Sequence, residues 1–352
     1  MSTGEDRSGG ERVDGIDTIA ERLAAFVAEH YGPDAVVRDV ELMPGHAGLS
    51  FGFEVHRDGR LRDAIVMRIP PKNVRRSGNT DVLRQAPLLR GLVGAGLPVP
   101  RVIWAGEDER WFGVPYLMVG RLSGETCFPW DPQPAWDRSA IPDLWRLGAQ
   151  ALTRVHRLDW KKHLDGWVPV QPVEAEIARW QPIYAQSPEP AWAQAADELR
   201  RLLLSSLPAE QPVGLVHGDY QIGNLLFDHG RVNAIIDWEL SGLGAHLIDA
   251  GWFLTFADPD SWHPDWGPVN PAPVDELRQI YEDGMGRHYP DLDWYRALAG
   301  YRMGSIVCIN VKLHRRGHRP DPLWEHYALA TPNLFDKARR LLLDRSSRRS
   351  TT

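Results

Sequence analysis

Two stretches of this 352-residue chain decide its fold: residues 216–224, Val-His-Gly-Asp-Tyr-Gln-Ile-Gly-Asn, and residues 235–239, Ile-Ile-Asp-Trp-Glu. Two apolar segments, 224–227 and 232–236, connect these stretches, and Asp-His-Gly-Arg separates the two segments. Short apolar segments joined by a turn with a central glycine are typical of a β-hairpin. The sequence therefore predicts a hairpin that follows a loop rich in polar residues.

Polar side chains are expected to gather at the open end of this hairpin. With the turn midpoint at residues 229–230, Asn224 lies opposite Ile235, and Asp237 follows about two residues beyond. Asp219 lies on the loop that enters the same end. A carboxylate, a carboxamide and a second carboxylate therefore converge. The alternative is a hairpin whose Asp and Asn residues only cap turns, but such caps need not meet at one edge.

These three side chains suit the transfer of a phosphoryl group. Asp219 is the candidate to accept or orient the proton of an attacking hydroxyl, because a carboxylate within hydrogen-bond reach can do so. Asn224 and Asp237 carry the hard oxygen ligands that Mg²⁺ prefers, with phosphate oxygens and water as further ligands. Phosphoryl transfer needs mainly positioning and charge neutralisation from the protein.

The motif His217-Gly-Asp219, with an Asn five residues after the Asp and an Ile-Asp-Trp-Glu strand end, resembles the aminoglycoside phosphotransferase-like family of small-molecule kinases. These relatives of the protein kinases include choline and homoserine kinases. The resemblance implies an α+β, two-lobed protein-kinase-like fold, with a small antiparallel β-sheet N-terminal lobe and a larger, mainly α-helical C-terminal lobe. It also implies transfer of the γ-phosphate of ATP or GTP, with Mg²⁺, to a hydroxyl of a small molecule such as an aminoglycoside or a macrolide.

The order of predicted elements agrees with this layout. Apolar periodicity predicts a helix at 16–30, alternating segments predict a small antiparallel sheet, and helical patterns dominate after residue 143. A helix is predicted at 81–93, with Pro87 as a kink or a boundary. The predicted strands are 36–42, 49–56, 64–69, 102–105 and 116–119. The predicted organisation is a disordered N-terminus at 1–15, a nucleotide-binding lobe at 16–119, a catalytic and substrate-binding lobe at 120–344, and a flexible tail at 345–352.

The resemblance places the nucleotide site in the first lobe. A turn containing Gly45, Gly48 and Ser50 resembles the phosphate-covering turn, in which backbone N–H groups face the phosphates. Arg68 occupies the position of the phosphate-gripping lysine, and a guanidinium can bind phosphate through its fork of donors. Gln85 aligns with the glutamate that usually pairs with that lysine. No Gly-x-x-x-x-Gly-Lys-Ser/Thr motif occurs, which disfavours a P-loop fold.

Other residues are assigned supporting roles by the same resemblance. Met118 and Ile236 are expected to line the nucleotide base. His217 is expected to be a buried hydrogen-bonding scaffold of the catalytic loop. Asp249 matches a structural aspartate that opens the following helix, where it would cap the helix and hold the catalytic loop.

A segment rich in tryptophan and acidic residues is the candidate binding site for the molecule that accepts the phosphate. Between residues 258 and 293 there are nine Asp or Glu and two Lys or Arg. Trp262, Asp265 and Trp266 lie in a loop with too much Pro and Asp for a helix, and they could face a cationic or amphipathic alcohol. The alternatives are a solvated acidic face and tryptophans that only pack. Glu239 is a candidate for contact with substrate or a second metal, or is simply exposed at a strand end.

Composition limits the remaining classes of protein. A net charge of −7 and a pI near 6.0 argue against a nucleic-acid partner. Two widely separated cysteines make a disulfide framework unexpected. No signal peptide and no membrane-spanning segment is predicted, so a cytoplasmic location is expected. The sequence leaves open whether the protein is a monomer or a homodimer.

Two other functions compete with a kinase. A catalytically weak, small-molecule binding or sensor protein of the same fold is suggested by Arg68 and Gln85 in place of the usual pair. A metal-dependent phosphoesterase would also use an Asp-rich strand end, but the additional His ligands of such sites are missing from these motifs.

Overall fold

A computed structural model of the protein describes residues 16–43, 49–70, 78–132 and 135–350. The predicted disordered N-terminus, 1–15, lies outside these residues, as do Gly45 and Gly48 of the predicted phosphate-covering turn. The described chain forms two compact units. One unit runs to Arg90 and includes Pro100–Arg121, whereas the other holds Gly91–Val99 and continues from Leu122.

The first unit is built on a five-stranded antiparallel sheet with strand order β1-β2-β3-β5-β4. One face of the sheet is covered by the apolar stripe of the first helix, in which Leu23 and Phe26 pack against Phe53 and Met67 in a buried core. Burial of each such side chain contributes about 1.5–3 kcal/mol. The elements of this part of the chain are α1 (Ile16–Tyr31), β1 (Ala35–Leu42), β2 (Leu49–Arg57), β3 (Arg60–Ile69), α2 (Gln85–Gly94), β4 (Val102–Gly106), α3 (Glu109–Phe112) and β5 (Tyr116–Gly120).

Pro87 marks a helix boundary. A 3₁₀ turn at Val82–Arg84 precedes α2, which begins at Gln85, so Pro87 falls in the first turn of the helix. Proline is tolerated there because the first N–H groups of a helix have no intrahelical partner. Of the two predicted alternatives for Pro87, a kink or a helix boundary, the structure therefore shows the boundary.

The second unit is mainly helical. Its long helices are α4 (Ile141–His156), α8 (Pro190–Ser205), α9 (Leu247–Ala257), α10 (Val274–Met285), α11 (Leu292–Arg315) and α12 (Leu323–Ser350), and its short ones are α5 (Trp160–His163), α6 (Val173–Ala178) and α7 (Gln181–Tyr184). α11 packs against α8, α9 and α12 and is buried over most of its length.

The second unit also contains five short strands. They are β6 (Val170–Gln171), β7 (Val213–Val216), β8 (Leu225–Asp228), β9 (Arg231–Ile235) and β10 (Gly242–Ala245). β10 pairs with β6 in parallel and with β7 antiparallel, and β8 and β9 form the predicted hairpin.

Two boundaries differ from the sequence prediction. Gly91–Val99 groups with the second unit because it bonds there: the Ile235 N–H donates to the Pro98 carbonyl at 2.7 Å. The predicted flexible tail at 345–352 is helical as far as Ser350. Arg345 is buried and pairs with Asp291 at 2.7 Å, a long-range contact that the Ser- and Arg-rich composition did not indicate.

None of the helices in the described residues has the length and apolar content needed to cross a bilayer.

Candidate active site

The catalytic loop begins where β7 ends and turns sharply at Gly218. Gly218 has φ 90°, and a Cβ at this position would lie 2.4 Å from the Leu240 carbonyl oxygen. A side chain is excluded both by this close approach and by the positive φ. The glycine of the His-Gly-Asp motif is thus required by the path of the backbone, which presents Asp219 at the end of the turn.

Asp249 stabilises this turn through hydrogen bonds to its backbone. Its carboxylate is fully buried and accepts hydrogen bonds from the backbone N–H groups of His217, at 2.6 Å, and Gly218, at 2.9 Å. Asp249 lies in the first turn of α9, where the helix dipole favours a negative charge. The predicted N-cap role is wrong, because the capping position is His246 and the Asp249 side chain bonds to the loop.

His217 is a buried scaffold residue in this loop. Its Nδ1 accepts the N–H of Asp219 at 3.2 Å, and its Nε2 donates to the Ile236 carbonyl at 2.9 Å. These two bonds require the neutral ring with its proton on Nε2. His217 therefore links the catalytic loop to the end of β9 and has no nitrogen left over for proton transfer.

The Asp219 carboxylate is oriented by two donors. Trp252 donates from Nε1 to Oδ1 at 2.9 Å, and Asn224 donates from Nδ2 to Oδ2 at 3.0 Å. Burial raises the pKa of Asp219, and the negative charge of Asp237 raises it further, whereas the nearby Arg302 acts in the opposite direction. A raised pKa makes this carboxylate a better proton acceptor than an exposed aspartate.

The hairpin brings Asn224 nearer to Asp237 than the sequence predicted. The turn forms at residues 229–230, where both φ angles are positive, but Asn233 is an extra residue in β9. This β-bulge shifts the pairing by one, so that Leu225 lies opposite Ile235, and the Asn224 carbonyl accepts the N–H of Ile236 at 3.0 Å. The predicted pairing of Asn224 with Ile235 is therefore wrong.

The oxygen atoms at this end of the hairpin fit a divalent cation. Asn224 turns its amide nitrogen towards Asp219, so its Oδ1 is left as an acceptor, and no donor in the described part of the chain bonds to it. Asp237 supplies a carboxylate close enough to Asp219 to raise that residue's pKa. Carboxylate and amide oxygens are suitable ligands for Mg²⁺.

Two residues that fix the catalytic loop were missed in the sequence. Trp252 lies one helical turn after Asp249 in α9, and Arg302 lies in the middle of α11. Arg302 is buried, donates from Nη2 to the Gly218 carbonyl, and stacks over the Trp252 ring at 4.5 Å. The available signal was an arginine inside an apolar helical segment, because such a charge is buried only when it has a partner.

The predicted acceptor residues lie in different surroundings. Trp262 is 1% exposed and donates to the Thr255 carbonyl, so it packs inside the unit and offers no open surface. Trp266 is partly exposed, and the Asp265 side chain is 92% exposed. Glu239 is 9% exposed, so the alternative of an exposed strand end is wrong.

In the first unit, the sheet sorts the predicted nucleotide residues onto two faces. Arg68 pairs across strands with Ser50 and with Leu117, so these three side chains share one face. Met118 pairs with Met67 and lies in the buried core on the opposite face, so it cannot line a site on the Arg68 face. Leu117, the preceding residue of β5, lies on the Arg68 face instead.

The nucleotide-site roles of two further residues, Gln85 and Ile236, stay predictions. Gln85 is buried at the start of α2, and its pairing with Arg68 stays a prediction. Ile236 is half-buried at the end of β9, where its backbone bonds to Asn224 and His217.

Comparison with known proteins gives matches over most of the chain. The model of the phosphotransferase enzyme family matches residues 41–298. Human acyl-CoA dehydrogenase family member 11 is 28% identical over 313 residues, which cover 82% of this chain and 37% of the human protein. Hygromycin-B 4-O-kinase of Escherichia coli is 25% identical over 244 residues, covering 65% of this chain and 64% of that enzyme. The chain spans only 24% of the length of mouse acyl-CoA dehydrogenase family member 10, to which it is 27% identical.

Solved structures show the same fold. A protein from Ralstonia eutropha assigned as an aminoglycoside phosphotransferase superposes with a TM-score of 0.72 at 23% identity, covering 91% of this chain and 98% of that one. The aminoglycoside phosphotransferase APH(4)-Ia, in a complex with ADP and hygromycin B, gives a TM-score of 0.60 at 17% identity, with 90% and 98% covered. The predicted α+β, two-lobed fold is confirmed.

Proposed function

The chain belongs to the phosphotransferase enzyme family, and from this premise we propose that it transfers the γ-phosphate of ATP or GTP to a hydroxyl group of a small molecule. The observation that carries the proposal is the Asp219 carboxylate, which is oriented by Trp252 and Asn224 and has a raised pKa. Hygromycin-B 4-O-kinase, a relative over about two thirds of the chain, supports a small-molecule acceptor such as an aminoglycoside, a macrolide or a related metabolite.

The reaction needs one proton acceptor and one electrophilic phosphorus. The acceptor oxygen forms a bond to the γ-phosphorus as the bond from that phosphorus to the β–γ bridging oxygen breaks, and a nucleoside diphosphate leaves. Asp219 takes the proton of the acceptor hydroxyl and later releases it to solvent. Although both Asp219 oxygens already accept a hydrogen bond, a carboxylate has about four acceptor sites and can bind a further proton.

Asn224 and Asp237 would hold the divalent cation through Oδ1 and a carboxylate oxygen. When bound, Mg²⁺ neutralises charge that develops on the phosphate oxygens. In the first unit, Arg68 and Ser50 share a face on which a guanidinium and a hydroxyl can donate to phosphate oxygens.

The proposal is tested by incubating the pure protein with Mg-ATP or Mg-GTP and a broad panel of alcohols, with mass spectrometry to detect phosphate monoesters. We expect at least one product, and we expect Asp219→Asn to lower its rate of formation by about 10²–10⁴-fold. Asp228→Asn is the matched control, since this carboxylate lies at the turn end of the same hairpin and bonds to Ser123. Equal rates in wild type and Asp219→Asn would overturn the proposal.

A second candidate is a small-molecule binding or sensor protein with weak catalysis, favoured by Arg68 and Gln85 in place of the family's usual pair. Thermal unfolding with Mg-ATP, Mg-GTP or EDTA separates the two functions. A nucleotide-binding enzyme is stabilised by mass action. No stabilisation by either nucleotide would favour the sensor.

A further inference from the structure

A cluster of aromatic rings in the second unit adjoins the catalytic aspartate. Trp130 and Trp266 stack with ring centroids 4.9 Å apart and planes 16° apart. Tyr327, from α12, makes T-shaped contacts with Trp266 and Trp130, with ring centroids 4.6 and 5.5 Å apart. We call these three residues the aromatic wall. Trp130 and Trp266 are both partly exposed, so the wall presents apolar surface to an incoming molecule.

The aromatic wall is continuous with the Asp219 site. The ring centroid of Phe256 lies 5.4 Å from that of Trp130 and 5.0 Å from that of Trp252. Trp252 in turn donates a hydrogen bond to the Asp219 carboxylate. Burial raises the pKa of Tyr327, and the charge of Asp219 raises it further, which places the phenol within electrostatic reach of the catalytic carboxylate. A continuous chain of ring contacts therefore leads from the aromatic wall through Phe256 and Trp252 to the Asp219 carboxylate.

The Tyr327 hydroxyl is the second feature of the aromatic wall that suits ligand binding. Tyr327 is 7% exposed, yet its hydroxyl makes no hydrogen bond to any residue in the part of the chain that the structure describes. A phenol that is buried without a partner costs free energy, so this hydroxyl is suited to bond a ligand.

Most acidic residues of the neighbouring segment form ion pairs within the second unit. Of the nine acids between residues 258 and 293, six pair with Arg or Lys side chains of the same unit. These are Asp258 with Arg296 and Lys337, Asp260 with Lys337, Glu276 with Arg146, Glu282 with Arg278, Asp291 with Arg345, and Asp293 with Arg278 and Arg296. The negative charge that the sequence suggested for ammonium groups is thus largely neutralised within the fold.

We propose that Tyr327, Trp130 and Trp266 bind the acceptor of the transfer reaction, and that this acceptor is a neutral alcohol with an aromatic or other apolar group rather than a polyamine. Apolar rings of the acceptor pack against the aromatic wall, and the Tyr327 hydroxyl bonds to an acceptor oxygen next to the reacting hydroxyl. This assignment of substrate class rests on the proposed function.

Two matched acceptors and three variants test the assignment. The acceptors are p-nitrophenyl glucoside, which is neutral and aromatic, and hygromycin B, which is cationic. Tyr327→Phe removes only a hydroxyl that has no partner among the described residues, so it should not disturb folding. Trp266→Ala removes half of the stacked pair. Trp192→Ala is the control, because Trp192 is a partly exposed tryptophan of α8 in the same unit.

We expect kcat/KM for the aryl glucoside to exceed that for hygromycin B by at least about 10-fold. Tyr327→Phe should raise the acceptor KM by about 5-fold and Trp266→Ala by about 10-fold, with the nucleotide KM unchanged. Trp192→Ala should behave as wild type. A preference for hygromycin B, or an acceptor KM unchanged in both Tyr327→Phe and Trp266→Ala, would overturn the assignment while leaving the proposed function in place.

Calorimetric binding of the aryl glucoside without nucleotide separates this assignment from the proposed function. Binding that weakens in Trp266→Ala, without phosphate transfer from ATP or GTP, would support the aromatic site and refute the kinase activity. Neither binding nor transfer would refute both.

Discussion

The loop that carries Asp219 in the second unit and the Arg68 face of the first unit differ in the burial of their polar groups. In the loop, backbone groups of residues 217–219 bond to Asp249, Arg302 and His217, and the Asp219 carboxylate has two further donors. The Arg68 face carries one partly exposed guanidinium, with Ser50 beside it. Under the proposed function, the loop orients Asp219 before substrate arrives, whereas Arg68 and Ser50 meet the nucleotide from a partly exposed face.

The largest effect is expected at the support of the loop. Asp249→Ala leaves two buried backbone N–H groups without an acceptor, which should lower the free energy of unfolding by about 2–6 kcal/mol. The transfer rate should fall by at least about 100-fold, since Asp219 loses its fixed position. Urea unfolding and steady-state kinetics measure the two effects.

Asp258→Ala is the matched control for Asp249. Asp258 is also a buried carboxylate, but it bonds Arg296 and the Asp260 N–H away from the loop. We expect a loss of stability of similar size, with kcat per folded molecule close to that of wild type. If both variants lost kcat equally, the special role of Asp249 in the loop would be contradicted.

A smaller and different effect is expected on the Arg68 face. Arg68→Ala should raise the nucleotide KM by about 10- to 100-fold through the loss of charge-assisted hydrogen bonds, with a smaller change in kcat. The nucleotide KM of Arg68→Lys should lie between those of wild type and Arg68→Ala. Arg62→Ala, in the same strand but paired with Asp58, should leave the nucleotide KM unchanged. A KM unaffected by Arg68→Ala would remove Arg68 from the nucleotide site.

The smallest effect concerns pH. Because the pKa of Asp219 is raised above its usual 3.8, the folded protein binds this proton more tightly than the unfolded chain does. Its contribution to the free energy of unfolding therefore falls as pH rises from 3.8 through the folded pKa, by about 1.4 kcal/mol for each pH unit that separates the two pKa values. The difference in unfolding free energy between wild type and Asp219→Asn, measured in urea from pH 4 to 7, isolates this contribution.

The same titration governs activity. Transfer requires the Asp219 carboxylate, so kcat/KM should rise with pH through an apparent pKa above 3.8. An apparent pKa at or below 3.8 in the pH profile of kcat/KM would contradict the raised pKa of Asp219.

The fold was predictable because its signals are local. The strands of the first unit follow apolar alternation, and the bounds of β1 and β2 fall within one residue of the predicted ones. The hairpin likewise follows from its glycine turn. Its register was not predictable, because nothing in the composition of β9 marks Asn233 as a bulge residue.

The parts of the site that were missed depend on long-range contacts. Arg302 is 83 residues beyond Asp219 in the sequence and acts on the neighbouring Gly218 carbonyl only after α11 has packed. The face of Met118 depends on its register with Met67, which a single strand does not reveal. The ion pairs of the acidic segment also form only in the folded unit, and they largely neutralise the negative charge that the sequence suggested for the acceptor site.

Titration of Mn²⁺ in the presence of AMP-PNP, followed by electron paramagnetic resonance, tests whether Asn224 and Asp237 hold one divalent cation beside Asp219, as we propose. We expect Asn224→Ala and Asp237→Asn each to weaken Mn²⁺ binding by at least about 10-fold, with the double variant weaker by less than the product of the two, because both side chains bind the same ion. Asp219→Asn should bind Mn²⁺ nearly as wild type. Wild-type affinity in both single variants would contradict the account.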